Sequence, residues 1–170
     1  TAPVLMGGLS TKVTRIFDKF SDSTPRIQPG FRIMDEVDVT VAGKKAKAGA
    51  LRCQPGTIYV LASGMMTEKT LSNRVAEQIL PQPANSLLFV GYADPDTPAG
   101  AIKAASTGDK IKMNAHCPGL PLNCQVEVFD FSGHAPREHL VEFARKVNPK
   151  KLFLVHGDQD ALDWMKEACS

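Results

Sequence analysis

The residues of this chain best suited to chemistry are two histidines near its end, His134 and His156. His134 follows Val126, Val128, Phe129 and Phe131 in VEVFDFSGHAPREHL, and His156 follows Leu152, Phe153, Leu154 and Val155 in KKLFLVHGDQDAL. Apolar runs of this length and composition predict strands, and the stretch after each histidine has a helix-like pattern. Both imidazoles should therefore leave the carboxyl ends of neighbouring parallel strands, the edge at which open α/β sheets bind ligands. An imidazole there can ligate a metal or move a proton near neutral pH. Two on one edge suggest a site.

The elements that must position them are legible along the whole chain. Val4–Met6 reads as a short strand, and Leu9, Val13, Ile16, Phe17 and Phe20 recur at helical spacing, predicting a helix with those five as its buried stripe. Residues 21–30, with Pro25 and Pro29, read as a surface connection. Val37, Val39 and Val41 alternate like a strand before GKKAKAG, whose Lys44, Lys45 and Lys47 fit either a phosphate contact or a solvated turn. TIYVLAS is predicted as a buried strand, TEKTLSNRVAEQIL as a helix with Leu71, Val75 and Ile79 inward, and NSLLFVGY as a second buried strand, together a βαβ unit. DTPAGAIKAAS predicts a short helix or turn with Pro98 near its start. DKIKMNA and QVEVFDF then read as strands on either side of HCPGLPLNC. The last unit is a strand over 125–131, a helix from about Pro136 to Val147, a strand over 151–155 and a final helix with Asp158 at its N-cap.

Four of the predicted strands end in small residues or their close neighbours: Ser63, Gly64 and Met65; Gly91 and Tyr92; Ser132 and Gly133 before His134; and Gly157 after His156. Small residues there let a ligand approach the backbone, and the helix N-termini that follow offer N–H donors to an anion. A phosphate is the natural occupant, with Ser63, Gly64, Ser132 and Gly133 as its expected contacts.

Composition sets broader bounds. With 170 residues and 43% hydrophobic content, the chain can bury a real core as one domain or two small ones. A net charge of +2 neither predicts nor excludes a local basic groove. No apolar run of membrane length and no signal-like start is present, so no membrane partner is expected and the cytoplasm is the expected compartment. The chain opens on Thr1, which reads as the start of a processed or excised piece. The four cysteines lack the spacing of a disulfide scaffold. Cys117 and Cys124, beside His116, leave a metal site, a hairpin disulfide and two free thiols as alternatives. His139 reads as a surface residue, His116 as a turn residue, and Trp164 as packing for the last helix.

The ordered motifs ASGMM, LFVGY with Gly100 downstream, FSGHAP and NPKKLFLVHGD resemble the β-CASP branch of the metallo-β-lactamase superfamily, which includes RNase J and the cleavage and polyadenylation endonucleases. The resemblance covers nearly the whole chain. It implies an α/β fold: a mostly parallel sheet with flanking helices over 1–122, the later part of a β-CASP domain, and over 123–170 a βαβα return to a metallo-β-lactamase-like core. HCPGLPLNC looks like an insertion in that frame. His134 matches the family's motif B histidine, implied to protonate the leaving group or steady the scissile phosphate. His156 matches the motif C histidine, implied to be a zinc ligand in a two-metal site. The implied substrate is single-stranded RNA, and the implied assembly is a homodimer or a subunit of a processing complex. The family's HxHxDH cluster is not in this sequence, and a catalytic zinc wants about three protein ligands. The expectation is a share of a zinc-dependent RNA-processing nuclease that is inactive on its own; the alternative is a non-catalytic module that binds RNA or another subunit.

Overall fold

The computed structural model describes residues 2–23, 28–42, 51–62, 64–116, 118–129, 131 and 135–170. The chain divides into two compact units, Thr1–Phe129 and Asp130–Ser170. Among the described residues, no helix is long and apolar enough to cross a membrane.

In the first unit, β1 (Val4–Gly8) lies between β2 (Val39–Val41) and β3 (Ile58–Ala62), and both pairings are parallel. As the central strand, β1 buries Val4 and Met6. Helix α1 (Leu9–Phe20) starts directly from it and packs on β1 and β3. That abrupt start favours Gly8, whose φ of 70° strains an L side chain and whose Cβ would crowd the Ala62 carbonyl oxygen at 3.1 Å. A second helix, α2 (Ile33–Glu36), is capped from a distance: the Asp18 carboxylate on α1 accepts from Ile33 N at 2.8 Å and Met34 N at 3.0 Å. Beside it, Arg32 forms an ion pair with Asp22 at 2.5 Å, and that guanidinium holds the Asp22 carboxyl below the usual carboxylate range.

The α1 stripe departs from expectation. Leu9, Val13, Ile16, Phe17 and Phe20 do share a face, but Leu9 is 60% exposed and Phe17 54%, while Thr11 on another face is buried. Period identifies which residues lie together on a helix; it does not supply the element that covers them.

Helix α3 (Leu71–Ile79) follows β3, and Thr70 caps it by accepting from Asn73 N at 3.2 Å. The next strand, β4 (Ser86–Val90), does not return to the β1 sheet. Helix α4 (Pro98–Ala104) has Pro98 in its first turn and Thr97 as its cap. The chain then makes a small antiparallel ribbon of β5 (Lys110–Ile111) and β6 (Leu120–Pro121). Finally β7 (Gln125–Phe129) pairs with β4 in parallel, Leu87 opposite Val126 and Phe89 opposite Val128. The predicted βαβ unit is thus corrected: β3 and β4 stand in different sheets, because β3 pairs with β1 and β4 with β7. Nor is β3 fully buried, since Ile58 is 52% exposed. Apolar runs mark strands without marking their neighbours. The architecture remains α/β, with small, mostly parallel sheets and flanking helices.

The main core joins Ala76 and Leu80 with Phe89, Ala99, Ile102, Ile111, Met113, Leu122 and Cys124. Full burial of Leu80, Ile102, Met113 and Leu122 contributes about 1.5–3 kcal/mol for each such side chain. Leu122 and Cys124, at the end of the HCPGLPLNC stretch, belong to this core. Cys124 is a free thiol, and burial pushes its pKa up; Cys117 lies outside the described residues.

The second unit contains α5 (Arg137–Val147) packed on α6 (Gln159–Ala168). Arg145 donates to the Ala168 carbonyl at 2.9 Å, and the Arg137 guanidinium lies 4.5 Å from the centre of the Trp164 ring. Asn148, left-handed at φ 48°, ends α5, and Pro149 after it cannot continue a helix. Asp158 stands at the N-cap of α6 with extended backbone, but its side chain makes no capping bond. The predicted strand over 151–155 is also corrected. These residues join no ladder among the described residues, and Phe153 and Val155 are each 81% exposed. A parallel strand needs a hydrogen-bonding neighbour and cover for its apolar side chains, and the described part of this unit supplies two helices and no strand.

Candidate functional site

Of the sequence-predicted site residues, Ser63, Ser132, Gly133 and His134 lie outside the described residues. Gly64 and His156 can be placed.

Gly64 opens a short 3-10 turn, Gly64–Met66, at the carboxyl end of β3. In the five residues after it, Met65, Met66 and Lys69 all take positive φ, at 52°, 61° and 69°. Left-handed backbone costs about 1–3 kcal/mol for a residue other than glycine, and it persists where surrounding contacts over-determine it. Those contacts are present. Asn73, almost fully buried on α3, donates through Nδ2 to the Met66 carbonyl at 2.7 Å and to the Met113 carbonyl at 2.8 Å. Asp94 N donates to Met65 Sδ at 3.3 Å, and Thr70 Oγ1 donates to the Thr67 carbonyl at 2.7 Å. The turn after β3 is therefore tied to α3, to the β5–β6 region and to the loop after β4.

That loop, Asp94–Thr97, is itself tightly built. Asp96 N donates to Asp94 Oδ1 at 2.9 Å, and Thr97 Oγ1 donates to the Asp94 carbonyl at 2.6 Å. α4 presses so closely on it that a Cβ at Gly100 would sit 2.1 Å from the Asp94 carbonyl oxygen. Between the two loops opens a cavity of about 430 Å³, whose polar wall carries Thr67, Glu68, Asp96, Thr97, Lys112 and Asn114. The loops after β3 and β4 thus meet although their strands belong to different sheets. The sequence reading marked the small residues that follow β3 and β4; it missed Asn73, Asp94, Lys112 and Asn114. Thr70 spaced three residues before Asn73 is a capping signal, but nothing in a sequence marks Asn73 as the tie between two remote carbonyls.

His156 does not leave the end of a strand, since 151–155 is not one. It is exposed and sits in a bend with φ 65°, a left-handed backbone that is uncommon outside glycine, followed by Gly157 and Asp158. Gly157 is not sterically required, because a Cβ there would meet Leu162 at an ordinary 3.6 Å. His116 is exposed in a turn, its backbone N donating to Asn114 Oδ1 at 3.1 Å.

Among the described residues, no group of three His, Cys, Asp or Glu is placed to hold a metal ion. His156 alone falls short of the three or so protein ligands a catalytic zinc takes, so the described residues do not fit such a centre by themselves.

Comparison with known proteins defines the class. Residues 1–102 match the Beta-Casp domain, and residues 119–170 match the Zn-dependent metallo-hydrolase RNA specificity domain. The chain belongs to the β-CASP branch of the metallo-β-lactamase superfamily, a family of RNA-processing hydrolases, and corresponds to its carboxyl-terminal portion. It is 26% identical to the transcription termination factor FttA of Pyrococcus abyssi over 95% of this chain and 27% of that protein. It is 31% identical to the cleavage and polyadenylation specificity factor 73 of Drosophila melanogaster over 66% of this chain and 16% of that protein. It is also 31% identical to the endoribonuclease YSH1 of Saccharomyces cerevisiae, over 66% of this chain and 14% of that protein. The chain thus spans about a quarter or less of the length of these curated relatives.

Proposed function

We propose that this chain is the RNA-contacting, carboxyl-terminal share of a zinc-dependent nuclease of the mRNA 3'-end processing or RNA decay type. The observation that carries the reading is the match of residues 119–170 to an RNA specificity domain of zinc-dependent hydrolases, a stretch that includes both His134 and His156. In this reading His134 protonates the leaving oxygen or steadies the scissile phosphate, and His156 contributes one metal ligand. Ser63, Gly64, Ser132 and Gly133 let the RNA backbone approach closely. The strained turn at Met65 and Met66 supports this role, since strain of that kind collects at functional sites and Thr67, the next residue, lines an open cavity. The β-CASP region runs over 1–122 and the return to the lactamase-like core over 123–170, with a homodimer or a processing complex as the working assembly.

The test is cleavage of single-stranded RNA by the longest natural form of the protein, beside the 170-residue chain. The longest form is expected to cut, to stop when zinc is chelated and to recover when zinc is restored; the 170-residue chain is expected not to cut. Cutting that survives chelation, or RNA binding by the longest form without any cutting, would overturn the reading; the second result would leave a binding module.

A further inference from the structure

Asn73 stands in the first turn of α3 with only 2% of its surface exposed. Burying an amide is tolerable only where its donors find acceptors, and here the Nδ2 group serves two carbonyls from remote segments. One is Met66, at 2.7 Å, in the turn after β3; the other is Met113, at 2.8 Å, between β5 and β6. Met113 is itself core, 1% exposed, so the second carbonyl is a fixed anchor.

The amide is also fixed from its own backbone. Asn73 N donates to Thr70 Oγ1 at 3.2 Å, and that hydroxyl donates to the Thr67 carbonyl at 2.7 Å. The start of α3 therefore grips two consecutive carbonyls, those of Met66 and Thr67. The gripped stretch is the one in which Met65 and Met66 take φ of 52° and 61°. Outside glycine such backbone relaxes toward negative φ unless contacts hold it. The bond from Thr70 spans three residues and moves with the turn, whereas the Asn73 bridge fastens the turn to the core at Met113.

We infer that Asn73 is a positioning residue for RNA: it holds the turn after β3 in the backbone shape that lets a phosphate backbone approach at Gly64. It touches no RNA itself. The inference rests on the RNA reading above, which makes Gly64 a contact. Releasing the bridge lets the turn populate other shapes, and a ligand that fits one shape loses affinity in proportion to the fraction that remains. A competent fraction of about one tenth raises KM about tenfold. Contacts made equally in the ground and transition states set KM and leave kcat alone, so the loss falls on KM.

The test measures kcat, KM and zinc content for cleavage of single-stranded RNA by the longest natural form of the protein and its Asn73→Ala variant. KM should rise about tenfold, with kcat within about twofold of wild type and zinc unchanged. The comparison is Leu80→Val, which opens a small cavity at a fully buried side chain just past the other end of α3; it should lower the melting temperature and leave KM unchanged. Thermal melting verifies that each variant is folded. If Asn73→Ala unfolds the protein, Asn73→Ser, whose hydroxyl keeps one donor, is judged by the same split between KM and kcat; unfolding of both would make Asn73 a purely structural residue and overturn the inference. An unchanged KM in a folded Asn73 variant, a loss confined to kcat, or an equal rise of KM in Leu80→Val overturns the positioning role and spares the RNA reading. No cutting by the wild type overturns both.

Discussion

In the longest natural form of the protein, His134→Ala is expected to slow RNA cleavage by about a hundredfold to ten-thousandfold, the usual contribution of a general acid. RNA affinity and zinc content should stay close to wild type, because in either proposed role the residue acts at the reacting phosphate and does not ligate zinc, while most of the RNA's contacts lie elsewhere. The pH–rate profile discriminates further. A general acid must be protonated to act, so the wild-type rate is expected to fall toward alkaline pH, and without the imidazole that limb should disappear. An RNA with sulfur in place of the bridging oxygen that departs, whose thiolate leaves without a proton, should recover most of the lost rate. Failure of that rescue, with the rate still low, would assign His134 to steadying the phosphate. A variant as fast as wild type would remove His134 from the chemistry altogether.

Gly100→Ala is expected to destabilise the first unit by about 3 kcal/mol or more. The new Cβ would lie 2.1 Å from the Asp94 carbonyl oxygen and 2.7 Å from both Asp94 C and Pro95 Cα, all backbone atoms that no rotamer change can clear. Relief requires α4 to move, and α4 carries the buried Ala99 and Ile102. The loop that would give way, Asp94–Thr97, also walls the cavity at the strand ends. The sign is diagnostic: glycine to alanine in an open helix gains about 1 kcal/mol from helix propensity. Gly108→Ala is the comparison, since a Cβ there meets no atom within 4 Å and only its φ of 92° resists substitution, at about 1–2 kcal/mol. Urea denaturation would measure both, and a Gly100→Ala chain within about half a kcal/mol of wild type would contradict the packing described here.

The helices were the most legible part of this chain. Pro98, Pro136 and Asp158 mark the starts of α4, α5 and α6, and such signals act within a few residues. The strands were legible as segments but not as partners, since β3 and β4 carry the same apolar signature and differ only in which remote strand lies beside them. Residues 151–155 show the same gap more sharply: Leu152, Phe153 and Val155 have strand composition and no ladder among the described residues. In the turn after β3, Gly64 was legible as a turn residue because glycine after a strand is a local cue. The left-handed Met65 and Met66 were not, because methionine has no preference for that conformation and is held there by Asn73 and Asp94 from outside the segment.

The most direct measurement is the zinc content of the longest natural form beside its His156→Ala variant. About two zinc ions in the parent, in keeping with a two-metal phosphodiesterase site, and fewer in the variant are predicted. No zinc in either protein, or the same full content in both, would contradict the placement of His156 in a metal-dependent nuclease.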